Sequence, residues 1–78
     1  MKEKELVEYI ARLLVDNPDK VLVKETQGSN VTVLELHVDR DDMGRVIGKD
    51  GRTAQSMRII LAGASTNLRR RSVLEIVD

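Results

Sequence analysis

Apolar residues recur at three- and four-residue intervals near the start of the chain: Leu6, Ile10, Leu13 and Leu14, with Val7 beside them. That spacing lays one apolar stripe along a helix and predicts a first helix over Lys2 to Val15. Asn17-Pro18 closes it, because the proline ring pushes the preceding residue out of the helical region. The period then shortens. VLVKETQ and VTVLELHV are rich in β-branched residues and flank Gly28-Ser29-Asn30, which predicts two strands joined by a tight turn. In the second strand Thr32, Leu34, Leu36 and Val38 share one face while Val33, Glu35 and His37 point the other way, so the sheet should have a covered side and a wetter side.

Helical spacing returns after residue 40. Asp41 or Asp42 is placed to cap a short helix through Met43, Gly44, Arg45, Val46 and Ile47, which Gly48 must end. From Arg52 the positions Ala54, Met57, Leu61, Ala64 and Leu68 mark the buried stripe of a longer helix, and Arg69, Arg70 and Arg71 suit its C-terminus. SVLEIVD reads as a last strand with Leu74 and Ile76 on one face, Val73 and Val77 on the other. The order is thus α-β-β-α-α-β. The first two strands should pair antiparallel through their turn, and the third should run parallel to the second after the two-helix crossover. The expected architecture is a single α+β domain over 1–78 in two layers, a three-stranded mixed sheet with three helices on one face.

Composition narrows the function. The 78 residues include no cysteine and one histidine, which removes disulfides, cysteine-ligated zinc and thiol chemistry and fits a reducing cytoplasm. The first ten residues, MKEKELVEYI, alternate charge where a signal peptide would be apolar, and no apolar run approaches the ~20 residues of a membrane span, so a cytoplasmic protein is expected. Thirteen basic and thirteen acidic side chains cancel, so any grip on a polyanion must be local. Tyr9 is the only aromatic residue, which argues against a base-stacking platform. His37 has Asp39 nearby but no second ligand, and Ser56, Ser65 and Ser72 lack a base, so no enzyme, metal, cofactor or small-molecule substrate is expected.

The local concentration of cations lies around GRVIGKDGRT, Gly44 to Thr53. Within it, Val46-Ile47-Gly48-Lys49-Asp50-Gly51-Arg52 resembles the G-x-x-G loop of KH domains, preceded by that family's Val/Ile-Ile-Gly; the element order resembles the type II arrangement, and the size that of the small single-KH bacterial proteins of the KhpA family. Glycines at both ends let the chain turn sharply between helices and let a phosphodiester approach the backbone with no Cβ in the way. The resemblance implies a clamp on about four nucleotides of single-stranded RNA, with Lys49, Arg52, Arg45 and Arg58 adding charge-assisted contacts. It also implies a base groove walled by Val46, Ile47, Thr53, Met57 and the second strand, although for either Val46 or Ile47 alone a place in the core is the stronger expectation. Asp50 repels phosphate and is placed to cap the next helix, so affinity should be modest and salt-dependent.

A second surface is legible on the long helix. Ile59 falls opposite the buried stripe among Gln55, Ala62, Gly63 and Thr66, small or uncharged residues that let another helix come close. KhpA-like proteins, as the resemblance implies, form homodimers, pair with a larger RNA-binding partner of the Jag type (KhpB-like), and act as RNA chaperones or post-transcriptional regulators. The alternative is a KH-shaped protein-interaction module with little RNA affinity.

Overall fold

The computed structural model describes residues 3–64 and 71–77. Helix α1 spans Glu3–Leu14, strand β1 Leu22–Gln27, strand β2 Val31–His37, helix α2 Met43–Ile47, helix α3 Arg52–Ala64 and strand β3 Arg71–Val77. The sheet order is β1-β2-β3, with β1 and β2 antiparallel and β2 and β3 parallel. Register pairs Glu25 with Leu34 on one side and Leu34 with Leu74 on the other, so β2 is central as expected. The Gly28 N–H donates to the Val31 carbonyl and closes the hairpin turn.

One face of β2 carries Thr32, Leu34 and Leu36, continued by Val38, all buried. Against it pack Val7, Ala11, Val15, Val46, Met57 and Leu61 from the helices and the segment after α1, with Val21 just ahead of β1 and Val23 and Leu74 from the sheet completing the cluster. This arrangement is the two-layer α+β domain that the alternating and helical periods predict. In α1 the stripe centres on Val7 and Ala11, with Leu6, Ile10 and Leu14 partly buried beside it. Leu13 departs from expectation and is 68% exposed. At ~100° per residue it lies about 120° from Val7, beyond the contact stripe.

Two charged positions are corrected. Asp42 caps no helix. It is Asp39 that accepts the Asp41 N–H and starts the 3-10 turn at 40–42. The Asp42 carboxylate instead turns inward, 1% exposed, and accepts from the Asp16 N–H at 3.1 Å, the Asn17 N–H at 3.1 Å and the Asn17 side-chain amide at 3.1 Å. Three donors satisfy a buried acid that a cap would have left facing water. Arg71 belongs to β3 rather than to a helix end, because its N–H donates to the Asn30 carbonyl and it opens the parallel ladder opposite Val31. Ser65, Thr66, Asn67, Leu68, Arg69 and Arg70 lie outside the described residues.

Burial pushes the Asp42 carboxyl up, but the donors from Asp16 and Asn17, with the Arg45 charge, outweigh it and hold the group below its ordinary 3.8. A lowered value in the folded state adds stability above the ordinary value, and that stability is lost as pH falls through the lowered one. Thermal melts should therefore show Asp42→Ala less stable than wild type at neutral pH, with the gap narrowing on acidification below about pH 4.

Candidate nucleic-acid interface

The loop between α2 and α3 follows from its two glycines. Gly48 ends α2 with its N–H on the Gly44 carbonyl at 2.9 Å and with φ 78°, ψ 172°. Gly51 has φ 75°. Between them Asp50 is held at φ 58°, ψ 25°, the left-handed region that aspartate tolerates better than most side chains. The Gly51 N–H donates to the Gly48 carbonyl at 3.1 Å and the Arg52 N–H to the Lys49 carbonyl. None of these three bonds uses the N–H of Lys49 or Asp50. The residue immediately before α3 is Gly51, so Asp50, left-handed and inside the turn at 49–51, does not take the cap position expected of it.

The glycines are needed for different reasons. A Cβ on Gly48 would fall inside the Thr53 side chain, 2.7 Å from its Cβ and 2.8 Å from its backbone nitrogen. The bare backbone at 48 thus lets the first turn of α3 press against the end of α2. At Gly51 a Cβ would meet nothing within 4 Å, so the space beside that backbone is open.

Around the bend Lys49, Asp50 and Arg52 are exposed, and Gly48, Gly51 and Thr53 are half-buried. Ile47 is 38% exposed, whereas Val46 is fully buried. Of that pair Val46 is core and is corrected as a surface contact, because its side chain is fully enclosed in the hydrophobic cluster. Met57 and the apolar face of β2 are likewise core, so they are removed from the groove wall and leave Ile47 and Thr53 as its open members. Arg58 reaches away from the bend: its Nε and Nη2 donate to the Leu74 carbonyl of β3 at 3.4 and 3.2 Å. Arg45 is exposed on α2 and its Nη2 lies 3.0 Å from Asp16 Oδ2. Sequence reasoning missed Asp16, since 26 residues separate it from Asp42, which fixes it, and nothing local signals the contact.

On α3, Gln55, Ile59, Ala62 and Gly63 are all exposed, Ile59 at 63%, and Thr66 lies outside the described residues. Ile60 is 47% exposed and widens the apolar surface beyond what the spacing singled out. His37 Nε2 sits 3.6 Å from Glu35 Oε1 on the other face of the sheet. Among the described residues no helix is long and apolar enough to cross a membrane, and no cluster of three metal-ligating side chains occurs.

The helix–strand–strand–helix–helix–strand order, the mixed sheet and the glycine bend between its consecutive helices define a type II KH fold. The family model of the KhpA/KhpB KH domain matches residues 4–76, and the chain belongs to that family. It is 49% identical over 75 residues to the RNA-binding protein KhpA of Halalkalibacterium halodurans, covering 96% of this chain and 99% of that one. It is 47% identical over 75 residues to the RNA-binding protein KhpA of Aquifex aeolicus, covering 96% and 95%. Among solved structures it resembles Era in complex with MgGDPNP and nucleotides 1506-1542 of 16S ribosomal RNA, with a TM-score of 0.62 and 26% identity. That match covers 95% of this chain and 28% of the Era chain.

The two glycines should separate by experiment. Gly48→Ala combines left-handed strain with the Thr53 clash and should lower stability by roughly 2–4 kcal/mol in denaturant melts, whereas Gly51→Ala carries only the strain, about 1–2 kcal/mol.

Proposed function

We propose that the chain is a non-catalytic RNA-binding protein that holds single-stranded RNA at Gly48-Lys49-Asp50-Gly51. The observation that carries this reading is the open, positive-φ bend between α2 and α3, bare of side chain at Gly48 and Gly51 and flanked by exposed Lys49 and Arg52. Backbone amides at such a bend suit a phosphodiester, and the cations add charge-assisted contacts. The family, and relatives named as RNA-binding proteins, support the ligand class. Arg45, Ile47, Thr53 and Arg58 complete the contact set, Arg58 only after leaving the Leu74 carbonyl.

With equal numbers of acidic and basic residues, the chain gains little from long-range attraction, so binding is modest and strongly salt-dependent. Its setting is the cytoplasm, as an RNA chaperone or post-transcriptional regulator. It works there as a homodimer through Gln55, Ile59, Ala62, Gly63 and Thr66, or beside a Jag-type, KhpB-like partner. The exposed Ile59 and Ile60 on α3 support such a contact. A protein-interaction module with little RNA affinity is the second reading, favoured by the acidic Asp50 within the loop.

Lys49→Asp reverses a charge at the bend and should weaken binding of a short oligoribonucleotide by about tenfold or more, roughly 1.4 kcal/mol, and abolish RNA crosslinks in cells. Absence of crosslinks from wild type and variant alike would favour the second reading. Ile59→Asp should leave the melting curve intact and turn an oligomer into a monomer by sedimentation; an unchanged profile rules the α3 contact out.

A further inference from the structure

Arg45 stands one turn of α2 before Gly48, yet its charge is already engaged by Asp16 Oδ2 at 3.0 Å. The position of Asp16 is imposed by the fold. Its own N–H is held by Asp42 Oδ1 at 3.1 Å and the next N–H by Asp42 Oδ2 at 3.1 Å, so the buried acid at the head of α2 pins the chain leaving α1 against that helix. The two paired side chains stay 55% and 70% exposed. An ion pair so wet is weak and exchanges readily for another anion.

We propose that Asp16 is a built-in competitor of RNA: it occupies Arg45 in the free protein, and a phosphate must displace it to gain that cation. The proposal rests on the RNA reading above and assigns a specific limit on affinity. Asp50 opposes phosphate at the bend directly, whereas Asp16 acts only through Arg45. The contact therefore sets how much of the cationic flank of α2 a nucleotide backbone meets, and how steeply binding falls with salt.

The test uses the full chain and a fluorescein-labelled single-stranded oligoribonucleotide, with affinities measured by anisotropy across a salt series. Asp16→Asn keeps the backbone N–H that Asp42 accepts, so the melting point should stay near that of wild type. It should tighten binding by about threefold and steepen the log–log salt slope by up to ~0.7, one further single-strand phosphate contact. Asp19→Asn makes the same change in net charge at an exposed acid that forms no ion pair among the described residues, and should leave affinity near wild type. In an Arg45→Gln background Asp16→Asn should have no effect. Wild-type binding with no gain from Asp16→Asn, an equal gain from Asp19→Asn, or an undiminished gain in the Arg45→Gln background would overturn the proposal while leaving the RNA reading in place. No binding by wild type or Asp16→Asn would overturn both.

Discussion

A side chain at position 48 has nowhere to go. The backbone there sits at φ 78°, and Thr53 fills the volume that a Cβ would need. This close approach fixes the angle at which the chain leaves α2 and enters α3. On either side of it the helices are tied to the hydrophobic core, α2 by fully buried Val46 and α3 by Met57 and Leu61. The bend is consequently held by the core from both ends while its middle, Lys49 and Asp50, remains outside. A rigid support under an exposed turn keeps the ordering of the loop from being charged against binding.

The electrostatics around that turn are balanced rather than uniformly positive. Arg45 faces Asp16, Lys49 is followed by Asp50, and Arg58 spends its donors on the Leu74 carbonyl. Arg52 is the remaining cation, exposed at the start of α3. Because the chain as a whole is neutral, attraction for a polyanion is local to the bend and is screened beyond about 8–10 Å at ordinary ionic strength. On the proposed reading, a clamp of this kind would depend on contact geometry and would gain through avidity from a second RNA-binding surface.

Most of the fold was legible because it rests on local periodicities. The alternation in 31–38 chose the buried face of β2 correctly, residue for residue, and the glycine at 48 marked the end of α2. The stripe of α3 followed from Ala54, Met57 and Leu61 in the same way. What escaped was tertiary. Asp42 looked like a cap by its place before an apolar run, but three donors from the turn at 16–17 drew it inward, and no local pattern reports donors 25 and 26 residues away. Leu13 carried the right residue type on the wrong side of its helix. At the bend the glycines, Lys49 and Arg52 were found from sequence, while the separate duties of the two glycines needed the position of Thr53. Whether Val46 or Ile47 faces out is a difference of one residue, about 100° of helix, and was settled only by how α2 docks.

The central claim is that main-chain groups of the bend receive the nucleotide backbone. Titrating the isotope-labelled protein with a short single-stranded oligoribonucleotide while recording amide resonances addresses it directly. The account predicts that the signals of Gly48, Lys49, Asp50, Gly51 and Arg52 move first and furthest, with those of β1 nearly still. Saturable binding that leaves these five signals unmoved would contradict it.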